Sequence, residues 1–166
     1  MARLEQSELD IALERLTPEW LAGFFDGEGC VSCVRHRGMP SLSVNITQCD
    51  QSILTLIGMK YGSGRAPLAK PRRGARHSQG FVLQFCGKSA LPFLEAIAPH
   101  VILKRKQVEF GIEMAKLHMK AGGNRRNAKG KMDPAIRARR EELLTVIRSS
   151  NNVGKVYQVG NTRDIA

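Results

Sequence analysis

The residues best placed to do chemistry lie in one string, Leu21-Ala22-Gly23-Phe24-Phe25-Asp26-Gly27-Glu28-Gly29. Gly23 and Gly27 are four apart with Ala22 beside Gly23, so a helix through them has one face nearly bare of side chains. A second helix backbone can close against such a face. Asp26 and Glu28 fall where Gly27 and Gly29 should end that helix. A carboxylate at a helix C-terminus opposes the helix dipole and calls for a compensating cation, which a metal ion would supply. The plainer reading of the same string is tight packing with both acids in solvent.

Two other patterns are weaker. Cys30 and Cys33 have C-x-x-C spacing, but the stretch reads as a strand, where positions three apart point to opposite faces. Cys49 and Cys86 offer no second pair, so the expectation is reduced thiols in a reducing compartment and not a zinc site. Gly87-Lys88-Ser89 has the end of a phosphate-binding loop, but the glycine required five positions earlier is Val82.

The elements that must position the motif follow from local signals. Thr17-Pro18-Glu19 starts a helix: a hydroxyl to cap free N–H groups, Pro at the first helical position, an acid in the first turn. A short amphipathic segment over 7–16 precedes it. A hairpin follows, with strands over 30–36 and 41–48 around Gly38-Met39-Pro40. Leu42, Val44 and Ile46 alternate there with Ser41, Ser43, Asn45 and Thr47. Asp50 caps a helix running to Gly62. A second hairpin spans 64–68 and 80–86, with Phe81, Leu83 and Phe85 toward the core. Helices over 88–98 and 105–120 come next, and Asp133-Pro134 starts a last one to about residue 149.

The order is α-β-β-α-β-β-α plus a helical tail. This is an α+β fold: a twisted antiparallel sheet with helices on one face and a C-terminal helical extension. Three segments are expected: a helical arm (1–16), a core (17–120) and a basic linker with a helical tail (121–166).

The chain has 166 residues, enough for one domain with an extension, and 26 Lys+Arg against 15 Asp+Glu leave a net charge of +11. A polyanion is the natural partner, and nucleic acid leads. Between Cys30 and Pro92 the only acid is Asp50, so the basic residues there form a face. The loop over 69–79 is its most basic part. No apolar run reaches the roughly 18–20 residues that cross a bilayer, and the first sixteen residues carry acids where a secretory signal would be apolar. The expectation is an intracellular, soluble protein without a membrane partner.

With helices on one sheet face, the other is open and polar, and such a twisted ribbon fits the major groove of B-DNA. Its candidate readers are Ser32, Val34, His36, Ser41, Ser43, Asn45 and Gln84, with Arg35 and Arg37 near the turn. A one-residue change of register would exchange Val34 for Arg35. Arg65, Lys70, Arg72, Arg73, Arg76 and His77 are candidates for phosphates or guanines. An ordinary solvated sheet face is the alternative.

The nine-residue string resembles the motif of the LAGLIDADG homing endonucleases, with Phe24-Phe25 at its middle apolar positions and Glu28 as its final acid. The likeness runs from about residue 17 to 118 and includes the element order. One copy of the motif resembles the single-motif members, which act as homodimers on palindromic or nearly palindromic double-stranded DNA.

The resemblance implies an interface through Leu21, Ala22, Gly23, Phe24, Asp26 and Gly27. It implies Mg²⁺ or Mn²⁺ held by the paired Glu28 carboxylates and the Gly27 carbonyl, for hydrolysis of phosphodiesters. By the same likeness Gln48 positions water and Lys104, in Leu103-Lys104-Arg105-Lys106-Gln107, stabilises charge near the phosphate. Ser52 departs from the pattern, standing where some relatives carry a base. Proteins similar to this family also include intron-RNA-binding splicing factors and non-cleaving DNA-binding regulators. Glu28, Gln48 and Lys104 argue against the regulators, but a basic surface does not separate RNA from DNA. Arg in excess of Lys, with frequent Ala and Gly, points to a bacterial, phage or archaeal host.

Overall fold

Thr17 starts the motif helix as its sequence requires: its Oγ1 accepts from the Trp20 N–H at 3.3 Å, and Pro18 follows. The computed structural model describes residues 6–36, 38–62, 66–71, 78–120 and 132–152. Helix α1 (Gln6–Glu14) leads to α2 (Pro18–Glu28), which runs straight into β1 (Gly29–His36). β2 (Met39–Gln48) returns antiparallel, α3 (Gln51–Tyr61) crosses, and β3 (Leu68–Ala69) and β4 (Phe81–Cys86) form the second pair. A 3-10 turn (Gly87–Ala90) enters α4 (Leu91–Ile97), followed by α5 (Arg105–Lys120) and α6 (Pro134–Asn152). No helix among the described residues is long and apolar enough to cross a membrane.

The expected α+β order is present, with differences at the ends. α2 continues through Gly27 to Glu28, β2 starts two residues early at Met39, and β3 has only two residues. Asp50 caps α3 by accepting from the Ser52 N–H at 2.8 Å, and Gly62 ends that helix with φ +66°, a conformation glycine adopts without strain.

The strands form one sheet in the order β1-β2-β4-β3. Val31, Cys33, Leu42, Val44, Ile46, Leu83 and Phe85 are buried beneath the helices. Phe93 of α4 is the hub of that core. It stacks on Phe85 with ring centres 5.1 Å apart and meets Phe25 and Tyr61 edge-on at 5.5 and 5.4 Å. Cys33 is buried and Cys30 exposed, on opposite faces as strand geometry requires.

Gly29 is fixed by space: a Cβ there would intrude on the Phe25 ring, which is fully buried. Gly29→Ala is therefore expected to lower stability by about 1–3 kcal/mol, the usual overpacking cost, in urea unfolding.

The sequence reading set residues 121–166 apart as a tail, but α6 belongs to the core. Leu143, Leu144 and Ile147 are buried in it, and Asn151 Nδ2 donates to the Val31 carbonyl at 2.8 Å, covering the edge strand β1. Arg139 lies on Glu113 of α5 (2.6 and 2.9 Å), and Arg140 is fully buried, donating to the Pro40 carbonyl. Arg140 Nη2 also lies 3.5 Å from His118 Nδ1.

Candidate functional site

The motif helix divides its residues by helical periodicity. Leu21, Ala22 and Phe25 point inward and are fully buried, so Leu21 and Ala22, expected at an interface between copies, belong to this chain's own core. Gly23 and Gly27 are exposed, and a Cβ on either would meet nothing within 4 Å. Trp20 and Phe24 stack at 5.0 Å on the same face, giving a stripe at 20, 23, 24 and 27. Trp20 is 44% exposed, and Ile102 and Leu103, on the loop bonded to the C-terminal end of α2, are 79% and 77% exposed. Sequence reasoning missed Trp20, Ile102 and Leu103; the i, i+3, i+4, i+7 spacing was the available signal for Trp20.

Asp26 is half-buried and engaged within its own chain. Its carboxylate accepts from the backbone N–H groups of Ile102 (2.8 Å), Leu103 (3.1 Å) and Lys104 (3.0 Å). Partial burial pushes its pKa up, but the three N–H donors and the Lys104 charge outweigh that and hold it below the ordinary 3.8. The stabilisation is then present above pH 3.8 and is lost as the pH falls through the lower folded-state value. Asp26→Asn is expected to cost about 2 kcal/mol near neutral pH, the scale of hydrogen bonds to a charged group. In urea unfolding the difference from wild type should vanish at acid pH.

Lys104 supplies the cation that the end of α2 calls for. Its Nζ donates to the Phe25 carbonyl at 3.1 Å and to the Asp26 carbonyl. A cation there offsets the negative end of the helix dipole by about 0.3–1 kcal/mol, more when partly buried. The ammonium expected at a phosphate is thus engaged within the fold, two and three residues before Glu28.

Glu28 is the last residue of α2 and is exposed, beside the exposed Gly27. Gln48 ends β2 at the same edge of the sheet, since Gly29 pairs with Ile46 and Gln48 with Phe81. Its Oε1 accepts from the Cys49 N–H at 2.7 Å. The topology thus gathers Glu28, Gln48 and Lys104 at one end of the sheet. Among the described residues no three His, Cys, Asp or Glu side chains form a metal cage. One chain offers the Glu28 carboxylate and the Gly27 carbonyl, oxygen donors of the type Mg²⁺ accepts when phosphates complete its shell.

The open sheet face carries Ser32 and Val34 on β1, Ser41, Ser43, Asn45 and Thr47 on β2, and Val82 and Gln84 on β4. Val34 is exposed there, so the expected register holds. His36 is exposed at the end of β1, and Lys70 is exposed where its N–H meets the Gly80 carbonyl at 2.8 Å. Two expected readers differ. Arg35 is turned to the helix side, where its guanidinium forms a two-point pair with Glu141 of α6 at 2.9 and 2.7 Å. Ser43 is only 4% exposed, its hydroxyl engaged within the sheet. Arg37, Arg65, Arg72, Arg73, Arg76 and His77 lie outside the described residues.

A four-stranded antiparallel sheet with helices on one face and the motif helix entering its first strand is the fold of the homing endonucleases. The chain is similar to I-CvuI, in crystals with its own target and with an I-CreI target. The TM-score is 0.54 in both cases, at 20% and 21% identity, over 96% and 95% of this chain and 90% and 88% of that one. The likeness thus reaches well beyond residue 118. The LAGLIDADG meganuclease I-AabMI, bound to uncleaved DNA, aligns over 64% of this chain and 39% of its own, with a TM-score of 0.47 and 19% identity. No protein-family model matches the sequence, and no curated protein does.

Proposed function

We propose that this protein is a homodimeric, divalent-metal-dependent endonuclease that cuts double-stranded DNA at a long palindromic or nearly palindromic site. The carrying observation is the placement of an exposed carboxylate, Glu28, at the end of a bare-faced helix and at the edge of an open polar sheet. I-CvuI, of similar fold, is a homing endonuclease crystallised with DNA in the presence of Ca or Mg.

The stripe of Trp20, Gly23, Phe24 and Gly27 receives the same stripe of a second copy, which brings two Glu28 carboxylates to the two-fold axis. Each half-site lies against one open sheet face, where side chains meet base edges in the major groove, while Lys70, Arg72, Arg73 and Arg76 meet phosphates. Glu28 and the Gly27 carbonyl would hold Mg²⁺ or Mn²⁺, which when bound lowers the pKa of water and stabilises charge on the attacking and leaving oxygens. Gln48 orients the attacking water. Asp26 and Lys104 hold the end of α2 in place, so that Glu28 keeps its position as DNA binds.

The direct experiment is digestion of a plasmid library of randomised sites of about two helical turns, the span of two half-sites. Discrete double-strand cuts with Mg²⁺ or Mn²⁺, absent in EDTA, are expected. Binding without cutting on any site, or tighter binding to structured RNA than to DNA, would contradict it.

A further inference from the structure

The centre of the open face holds a closed hydrogen-bond network. Gln84 Nε2 donates to Ser43 Oγ at 2.9 Å and to Asn45 Oδ1 at 3.1 Å, and Ser43 Oγ donates to the same Asn45 Oδ1 at 3.3 Å. Ser32 Oγ donates to the Ser43 carbonyl at 3.0 Å, tying β1 to the group. Asn45 and Gln84 are directly opposite one another across β2 and β4. Both hydrogens of Gln84 Nε2 and both lone pairs of Asn45 Oδ1 are used within the sheet.

A lone Asn or Gln recognises adenine with its carbonyl and its amide together. Neither side chain can do that here, because each has one of those groups committed to the other. What the network leaves uncommitted is the Asn45 NH₂ group, with two donors, and the Gln84 carbonyl, an acceptor. Turning over one amide alone would set donor against donor or acceptor against acceptor. Turning over both gives an acceptor on Asn45 followed by two donors on Gln84. Either way the pair presents two donors at one end and an acceptor at the other.

In the major groove a G·C pair presents N7 and O6 as adjacent acceptors and then the cytosine N4 donor. An A·T pair places its donor between two acceptors. We infer that Asn45 and Gln84 act as one composite reader of a single G·C base pair in each half-site, with Ser43 as the positioning residue that locks them. The inference rests on the proposed DNA-binding function and assigns part of its sequence preference.

Selection of binding sites from a randomised library by the full-length protein tests it, comparing wild type with Asn45→Ala, Gln84→Ala and Ser43→Ala. Wild type should enrich a G·C pair at one position and its symmetry mate. All three variants should relax that same position by about tenfold or more, the scale of one base contact. Other positions should be unchanged. Ser43→Ala should also gain adenine at that position as the amides are released, and should keep a cooperative thermal unfolding lowered by no more than the loss of one or two hydrogen bonds, which separates positioning from loss of fold. Relaxation at different base pairs in the Asn45 and Gln84 variants, or an unchanged preference in Ser43→Ala, would overturn the inference while leaving the function intact. A wild-type protein that enriches no sequence overturns the function and the inference with it.

Discussion

Gly27→Val is expected to keep the wild-type fold, yet to sediment as a monomer and lose cleavage. A Cβ at Gly27 meets nothing within 4 Å of its own chain. Valine is also a better helix residue than glycine, so the isolated fold has no reason to weaken. At the crossing of two helices the added isopropyl group keeps the backbones apart. Overpacking costs about 1–3 kcal/mol at each of two symmetric copies, about thirtyfold or more in association. The variant also leaves Trp20, Phe24, Ile102 and Leu103 uncovered in solution. Equilibrium sedimentation of wild type and variant over the same concentration series reads the first effect, and plasmid cutting reads the second. A dimeric, active Gly27→Val protein would mean that the bare face of α2 has another use.

What could be read from the sequence was what depends on neighbours in the chain. The Thr17-Pro18 start of α2, the Asp50 cap and Gly62 stop of α3, and the alternation through Leu42, Val44 and Ile46 are local signals, and the structure matches each. The inward turn of Leu21 and Ala22 was available from the same periodicity: with Phe25 they form the apolar side of α2, while Gly23 and Gly27 lie opposite. The apolar spacing of Leu143, Leu144 and Ile147 likewise marked α6 as a packed helix.

The illegible part was which polar groups meet across the fold. Asp26 finds its donors 76 to 78 residues away, and Arg35 finds Glu141 106 residues away. Lys60 lies in the acid-poor stretch between Cys30 and Pro92, but its ammonium caps the C-terminal end of α1 through the Leu13 and Leu16 carbonyls at 2.7 and 2.8 Å. Lys104 does the same for α2. A lysine's sequence neighbourhood does not say whether its charge goes to a phosphate or to a helix end, because only the tertiary fold brings the helix end to it.

The second large effect concerns Glu28 and carries the central claim. Glu28→Gln keeps the size and hydrogen-bonding reach of the side chain and removes its negative charge. In the proposed mechanism this removes the hold on a divalent cation, and cutting should fall by about a thousandfold or more. DNA binding should persist or tighten, because one repulsion from the phosphates is gone at each copy. The decisive measurement sets wild type beside Glu28→Gln on one selected DNA site, reading cleavage in Mg²⁺ and affinity in Ca²⁺ from the same preparations. Lost cleavage with undiminished affinity is the expected result, and a Glu28→Gln protein that cuts at the wild-type rate would contradict it.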